Sequence, residues 1–253
     1  MTNGNSILAY ILLLSFLLKS FVELKDIKDK MQKLKKTPFD DDPNAREVID
    51  IFHQIYYYSS EKTWENTFWL GWPTLKCPLD MWVYQEIIFE VKPDVIIETG
   101  TYFGGSALFF AMLLDRLQKG IVVTIDILER QKKRPDHNRI RYITGSSVSS
   151  EVVKQVELLV EKQRRVMVIL DSDHTKHHVL EELNIYSRFV DTGSYIIVED
   201  TDLNGHPVKP EFGPGPMEAV DEFLKKNSSF AIDYSREKFL MTQNPGGYLK
   251  RIK

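Results

Sequence analysis

The segment Asp94–Ser106 reads DVIIETGTYFGGS, and it decides the fold. Its first part, Asp94–Glu98, is a short apolar run after a proline, which predicts a buried strand. Ser106–Gln118 follows as a predicted helix. Between the two, Gly100 lets the chain turn sharply away from the strand, and Gly104 lets the backbone approach a ligand or the next helix closely. This turn favours a nucleotide-like ligand, although its glycine order, G-x-x-x-G-G, differs from the dinucleotide fingerprint G-x-G-x-x-G.

Strands and helices alternate along most of the chain. The further predicted strands are Ile121–Ile125, Arg141–Thr144, Val166–Leu170, Ser194–Val198, Phe230–Tyr234 and Lys238–Thr242. The further predicted helices are Glu47–Ser60, Leu79–Val91, Ser149–Gln163, Lys176–Val190 and Pro216–Lys226. Strands separated by helix-length segments imply right-handed crossovers and a mostly parallel sheet. The predicted class is therefore α/β and Rossmann-like, with ligands at the carboxyl ends of the strands.

The composition is that of one large globular α/β domain. Of the 253 residues, 43% are hydrophobic and 27% are charged, which is not the balance of a disordered chain. The formal net charge is −3, so no general basic field favours nucleic acid as a partner. Cys77 is the only cysteine in the sequence, which excludes an intrachain disulfide and a cysteine-rich zinc site.

The N-terminal residues depart from this pattern. Ile7–Leu18 reads ILAYILLLSFLL, and with Phe21 and Val22 the apolar stretch reaches about the lower limit of a membrane span. No basic residue precedes it and no small-residue cleavage site follows, so a cleaved signal peptide is disfavoured. Residues 1–36 are predicted to form a helix that either attaches the chain to a membrane through residues 7–22 or packs in a homo-oligomer. If the run spans a bilayer, the lysines after it predict that the main domain, residues 45–253, lies in the cytoplasm.

Asp126 narrows the ligand suggested by the glycine turn. It ends the second strand of the predicted sheet, after Ile121–Ile125. A carboxylate at this position can accept hydrogen bonds from both hydroxyls of a ribose, as in nucleotide-binding α/β folds. A helix cap or a solvated strand end is the alternative interpretation. The combination with the glycine turn favours a ribose-bearing ligand.

Acidic residues follow two further strands. Asp171–His174 reads DSDH after one buried strand, and Glu199–Asp202 reads EDTD after the next. If these strands are neighbours, carboxylates converge and repel one another, and a hard divalent cation such as Mg²⁺, Ca²⁺ or Mn²⁺ would remove the conflict. Solvated carboxylates without a metal are the alternative. His174 could take a proton from a substrate hydroxyl, because the unperturbed pKa of histidine lies near neutrality.

Two segments are candidates for the wall of an acceptor pocket. The loop Thr201–Gly215 is long and follows a strand's carboxyl end, which favours a lid or substrate-binding segment over a plain connector. Its polar candidates are Asn204, His206 and Lys209. An aromatic patch predicts core packing or a subunit contact, with a pocket wall as the alternative. The patch consists of Tyr56, Tyr57, Tyr58, Trp64, Phe68, Trp69 and Trp72.

Three segments resemble the cephalosporin hydroxylase/rhamnosyl O-methyltransferase family. They read ETGTYFGGSA, LDSDHTKHHVLEEL and VEDTDLNGHPV, and the resemblance covers roughly residues 45–250. More distantly, the sequence is similar to catechol O-methyltransferase and to metal-dependent macrolide-sugar O-methyltransferases. The resemblance implies a class I methyltransferase fold with a mostly parallel seven-stranded sheet and helices on both faces. It also implies S-adenosylmethionine as cofactor and Mg²⁺ or another hard divalent cation.

The resemblance further implies roles for matching positions. Asp171, Glu199 and Asp200 match carboxylate metal ligands, and His174 matches a general base. The implied cofactor-binding residues are Glu98, Gly100, Thr101, Gly104, Ser106, Asp126, Gly145, Ser146 and Asp171. The expected reaction is in-line methyl transfer to a hydroxyl of a sugar or a glycosylated metabolite. Two alternatives stay open: a metal-dependent oxygenase, and a non-catalytic nucleotide-binding scaffold.

Overall fold

The computed structural model describes residues 43–128, 134–160 and 165–253. The predicted N-terminal helix, including the apolar residues 7–22, lies outside the described residues. The chain divides into two units, Met1–Ile55 and Tyr56–Lys253. Helix α1, Pro43–Tyr58, begins in the first unit and ends in the second. Across the described ranges, no helix combines the length and the apolar composition that a membrane crossing needs.

The second unit consists of alternating strands and helices. The strands are β1 (Phe68–Trp69), β2 (Trp72–Pro73), β3 (Val95–Thr99), β4 (Ile121–Asp126), β5 (Ile140–Thr144), β6 (Val166–Leu170), β7 (Tyr195–Val198), β8 (Phe230–Ile232) and β9 (Tyr248–Arg251). The α-helices are α2 (Pro78–Val91), α3 (Gly105–Leu117), α4 (Ser150–Val160), α5 (Lys176–Tyr186) and α6 (Pro216–Lys226). Three short 3₁₀ helices, Thr63–Asn66, Ser187–Phe189 and Tyr234–Glu237, complete the described elements.

Seven of these strands form one sheet in the order β5-β4-β3-β6-β7-β9-β8. Strands β3 to β7 pair in parallel, and β9 runs antiparallel to both β7 and β8. The strands β1 and β2 form a separate antiparallel pair. The mostly parallel, seven-stranded Rossmann-like sheet predicted from the sequence is thereby confirmed.

Both faces of the sheet are covered by helices. Every residue of β3 and β6 is buried, which explains why these strands read as continuous apolar runs. Successive side chains point to opposite faces. Val95 and Ile97 pack with residues of α4, α5 and α6, whereas Ile96 packs with residues of α2 and α3. The strand order reverses on either side of β3, so the loops after β3, β4, β6 and β7 meet above one crevice.

One predicted strand is wrong. Lys238–Thr242 forms no strand, and the closing strand is β9 instead. The buried carboxylate of Asp80 on α2 accepts hydrogen bonds from the Thr242 hydroxyl at 2.5 Å and the Gln243 amide at 2.9 Å. It also accepts one from the Tyr248 hydroxyl at 2.8 Å. Thr242, at the end of the predicted strand, and the adjoining Gln243 therefore bond to this carboxylate, whereas Tyr248 lies in β9.

Candidate active site

The glycine turn after β3 lies against the end of β6. Gly100 has a φ of +92°, and a Cβ atom there would overlap the backbone carbonyl oxygen of Asp171. Both the left-handed backbone and the close approach require glycine. The Gly100 amide donates a hydrogen bond to the Ile125 carbonyl at 2.8 Å, which ties the turn to β4 as well. The turn and the acidic residues after β6 therefore share one crevice.

Glu98 lies beneath this turn and is fully buried. Its two carboxylate oxygens accept hydrogen bonds from the Ser106 hydroxyl at 2.5 Å and from the Thr124 hydroxyl at 2.6 Å. Burial raises the pKa of Glu98 to about 7, although nearby Lys76 and these hydrogen bonds oppose the shift. Glu98 thus links the first turn of α3 to β4 from inside the protein. A direct contact between Glu98 and a cofactor stays a prediction.

Two adjoining cavities open at the carboxyl ends of the strands. The first has a volume of about 510 Å³, and seven predicted site residues line it: Gly100, Thr101, Ser106, Asp126, Asp171, His174 and Asp200. The second has a volume of about 430 Å³, shares Gly100 and Asp126 with the first, and contains Gly145 and Ser146. Among the predicted residues, Glu98, Gly104 and Glu199 line neither cavity in the described structure. The crevice therefore gathers most of the predicted positions.

Asp126 stands where the two cavities meet. Its Oδ2 atom accepts a hydrogen bond from the Tyr102 amide, and its Oδ1 atom accepts one from the Leu128 amide, both at 2.8 Å. Each carboxylate oxygen has a second lone pair, so the group can still accept hydrogen bonds from a ligand. The backbone contacts fix the direction of the carboxylate, which suits it to recognise a pair of hydroxyl groups.

The acidic residues after β6 and β7 converge around His174. The Nε2 atom of His174 lies 3.2 Å from an oxygen of Asp200 and 4.0 Å from one of Asp171. One ligand atom from each of these three residues lies within 4.8 Å of the others, a spacing that one divalent cation can bridge. Asp200 has a φ of +55°, and its amide donates to the Asn244 side chain at 3.1 Å. Left-handed backbone is uncommon outside glycine and is concentrated at functional sites.

Lys76 lies under this acidic cluster, and sequence reasoning missed it. Its side chain is 2% exposed, and its ammonium group donates to Asp171 and, at 2.7 Å, to Glu199. Burial lowers the pKa of Lys76, but the two carboxylates more than offset this, so the pKa lies above its ordinary value. Burial and the Asp171 charge raise the pKa of Glu199. In the sequence, Lys76 is a lone lysine in the segment WPTLKCPL, and such a lysine is ordinarily exposed. The sequence therefore did not indicate a buried residue of the site.

The donor set suits a hard divalent cation. Carboxylate oxygens from Asp171 and Asp200 come together, and oxygen ligands suit Mg²⁺ and similar ions. Glu199 lies on the Lys76 side of Asp171, and its Oε1 atom is buried without a hydrogen-bond partner among the described residues. Glu199 is not among the three residues whose ligand atoms lie within 4.8 Å of one another, so its role as a metal ligand stays a prediction. The predicted convergence of carboxylates is therefore present, with Lys76 as an additional member.

The loop Thr201–Gly215 contributes less polar surface to the cavity than the sequence suggested. Asn204 and His206 both contact Oε1 of Glu218 on α6, at 3.0 and 2.9 Å. Burial opposes the shift, but these hydrogen bonds help to lower the pKa of Glu218 to about 2. Of the three polar candidates, only Lys209 lines the first cavity, together with the loop residue Phe212. The other two fasten the loop to α6.

Three members of the aromatic patch show two different roles, whereas Tyr58 and Phe68 are largely exposed. Tyr57 and Trp64 stack with ring centroids 5.6 Å apart, and both line the first cavity. Trp69 instead packs edge-on against Phe109 with centroids 4.9 Å apart. The pocket-wall alternative therefore applies to the first pair, and core packing applies to Trp69.

Comparison with known proteins shows the family of the chain. Residues 61–252 match the family model described as Rhamnosyl O-methyltransferase/CmcI. The chain belongs to the rhamnosyl O-methyltransferase/CmcI family. A rhamnosyl O-methyltransferase of Mycobacterium bovis (strain BCG / Pasteur 1173P2) is 36% identical over 216 residues, which cover 81% of this chain and 85% of the relative. One of Mycobacterium leprae (strain TN) is 37% identical over 212 residues, covering 81% of this chain and 90% of the relative.

Solved structures of CmcI share the fold of this rhamnosyl O-methyltransferase/CmcI family member. The apo structure of CmcI aligns with a TM-score of 0.58 and 20% identity, covering 75% of this chain and 77% of CmcI. CmcI with Mg and SAM aligns with a TM-score of 0.55 and 20% identity, covering 75% and 78%. The class I methyltransferase fold and the predicted family are thereby confirmed. Family membership also confirms the predicted enzyme class, an O-methyltransferase, and the comparisons lend no support to an oxygenase or a scaffold.

Proposed function

We propose that this protein transfers a methyl group from S-adenosylmethionine to a hydroxyl of a sugar or a small glycosylated molecule, with the help of a divalent cation such as Mg²⁺. The observation that carries the proposal is one cavity that holds both the glycine turn and the cluster of Asp171, His174 and Asp200. Relatives named rhamnosyl O-methyltransferases, and the CmcI structure with Mg and SAM, support it.

The cofactor is proposed to lie across the two adjoining cavities. The backbone of Gly100 and Thr101 would border it, because both residues line the first cavity. Asp126 would accept the ribose hydroxyls, and Gly145 and Ser146 would lie near the adenine in the second cavity. When bound, S-adenosylmethionine supplies the methyl group on a positively charged sulfur. Glu98 and Gly104, which line neither cavity, would act by shaping the turn.

His174 is proposed to accept the proton of the acceptor hydroxyl. The carboxylates of Asp200 and Asp171, 3.2 and 4.0 Å from Nε2, would stabilise the imidazolium that results. The acceptor oxygen would then bond to the methyl carbon, and the bond from sulfur to that carbon would break. Asp171, Glu199 and Asp200 would hold the cation, which when bound lowers the free-energy cost of ionising a neighbouring hydroxyl.

The acceptor is proposed to lie against the aromatic wall of the first cavity. Tyr57, Trp64 and Phe212 line this wall, and Lys209 adds a polar group. Aromatic rings pack well against the apolar faces of sugar rings, while the sugar hydroxyls reach polar groups nearby. The names of the relatives make a rhamnosyl group the first acceptor to test.

Transfer of labelled methyl groups tests the proposal. The full chain is incubated with methyl-labelled S-adenosylmethionine and a panel of glycosides that includes rhamnosides, with Mg²⁺ or with EDTA. We expect labelled glycoside only when the cation is present, and recovery of transfer when excess Mg²⁺ is added back. Transfer that persists in EDTA would refute the metal role. Tight cofactor binding without transfer to any hydroxyl acceptor would favour a non-catalytic protein.

We also propose that the apolar residues 7–22 attach the chain to a membrane or to a second copy of the chain. These residues lie outside the described residues. A cytoplasmic location of the residue 45–253 domain agrees with its predicted dependence on S-adenosylmethionine. Sedimentation of the full chain, with and without vesicles, distinguishes membrane attachment from self-association.

A further inference from the structure

Lys76 places a positive charge in the site. It is neither the proposed base nor a proposed metal ligand, so the proposed function assigns it no role. Its side chain is 2% exposed, and its ammonium group donates to both Asp171 and Glu199. Lysine is almost never fully buried unless it is paired. The two carboxylates therefore specify the position of this ammonium group.

The contacts leave oxygens free on both of these carboxylates. Asp171 accepts from Lys76 through Oδ2, whereas its Oδ1 atom lies on the His174 side, 4.0 Å from Nε2. Glu199 accepts through Oε2, and its buried Oε1 has no hydrogen-bond partner among the described residues. Lys76 thus binds one oxygen of each carboxylate, and the other oxygen of each is not bound by Lys76.

The ammonium group of Lys76 changes the net charge of the proposed cation site. The carboxylates of Asp171, Glu199 and Asp200 repel one another when no cation is present, and Lys76 offsets one of their charges permanently. With a divalent cation bound, the three carboxylates, the cation and the ammonium group carry no net charge together. Without the ammonium group the same site would be anionic and would attract the cation more strongly.

We propose that Lys76 is a positioning residue that holds Asp171 and Glu199 in place while the metal is absent and weakens metal binding, so that the cation exchanges. This inference rests on the proposed use of a divalent cation. It differs from a purely structural role, because loss of a structural lysine would release the ligands and would not tighten cation binding.

Calorimetric titration with Mg²⁺ or Mn²⁺ alone, without cofactor or acceptor, tests the proposal on the full chain. Lys76→Met is expected to bind the cation about tenfold more tightly than the wild type, because the opposing charge is gone. The control is Lys119→Met, since Lys119 is 40% exposed and pairs with Asp94 at 2.6 Å. An exposed pair contributes little, so this control should stay within about twofold of the wild type.

Thermal unfolding supplies a second readout. In EDTA, Lys76→Met should unfold at a lower temperature than the wild type, because the buried Glu199 and the partly buried Asp171 lose their partner. Saturating Mg²⁺ should raise its unfolding temperature by more than it raises that of the wild type, since tighter binding stabilises the native state more at equal ligand concentration. An equal rise in both proteins would contradict the proposal.

Unchanged or weaker cation binding by Lys76→Met overturns the inference, even if methyl transfer by the wild type has been demonstrated. Absence of cation binding by the wild type overturns both the inference and the metal role in the proposed function. Should Lys76→Met not fold, Lys76→Met combined with Glu199→Gln is compared with Glu199→Gln alone. Removing Lys76 in that background should still tighten binding about tenfold, and an unchanged affinity there also overturns the inference.

Discussion

Replacing His174 with glutamine tests the proposed proton transfer most directly. General base catalysis by a side chain contributes about 10²- to 10⁴-fold, or about 2.7–5.4 kcal/mol of barrier. The distances around His174 give a similar free energy. Two opposite unit charges about 4 Å apart, such as an imidazolium and a carboxylate, attract by about 4 kcal/mol at an effective dielectric constant of about 20. The Asp200 and Asp171 carboxylates lie 3.2 and 4.0 Å from Nε2. A bound cation would interact with the same carboxylates and would weaken their stabilisation of the imidazolium. We therefore expect His174→Gln to lower kcat by about 100- to 1,000-fold, the lower part of this range.

The assay is single-turnover methyl transfer at saturating cation, cofactor and acceptor, followed across pH. Removal of the base removes one proton-accepting group from the reaction, so the pH dependence of the wild-type rate should differ from that of His174→Gln. His177→Gln is the matched control, because His177 is exposed on the neighbouring helix α5. Retention of more than about a tenth of the wild-type rate would refute the role of His174 as base. An accompanying rise of about tenfold or more in the cation Kd would identify His174 as a ligand instead.

Three further perturbations check other parts of the site. Gly100→Ala should lower the unfolding temperature and abolish binding of S-adenosylmethionine in a calorimetric titration, because the new Cβ would overlap the Asp171 carbonyl at a φ of +92°; near-normal binding would contradict the tight turn. Asp126→Ala should raise the Kd of S-adenosylmethionine about tenfold or more by removing the acceptor of the ribose hydroxyls, while the cation Kd should not change. Glu218 has its pKa lowered to about 2 from an ordinary value of 4.5, so its stabilising hydrogen bonds are fully present above pH 4.5 and are lost as the pH falls toward 2. Glu218→Gln should therefore reduce the loss of stability over that window in acid denaturation, and an unchanged pH dependence would refute the role of this carboxylate.

The sheet could be predicted from the sequence because its central strands are buried on both faces. Such strands appear as short apolar runs such as VMVIL in Val166–Leu170, which the structure reproduces as β6. The rule that parallel strands present their carboxyl ends at one edge then places Asp171, His174 and Asp200 together without knowledge of the coordinates. The closing strand β9 was not predicted from the sequence. The segment before it ends at Thr242 and Gln243, which bond to the buried carboxylate of Asp80, a residue far away in the sequence.

Lys76 illustrates what a local pattern cannot reveal. It lies before α2 and is distant in sequence from both of its partners. Asp171 follows β6 and Glu199 follows β7. No periodicity or spacing links a lysine to carboxylates across such distances, because the pairing exists only once α2 and the sheet have packed. A charged residue between Leu75 and Cys77 also resembles an ordinary exposed lysine. Its burial was therefore a feature of the site that required the tertiary structure.

Asp171 joins the two halves of the site through different atoms. Its backbone carbonyl borders Gly100 so closely that no side chain fits at that position, and its amide donates to the Thr99 carbonyl at 3.0 Å. Its side chain lies between Lys76 and the His174 cluster. A displacement of this residue would therefore move the proposed cofactor turn and the proposed cation ligands together. Because in-line transfer depends on holding the acceptor oxygen against the methyl carbon, we expect a residue shared by both halves of the site to help align the two proposed reacting partners.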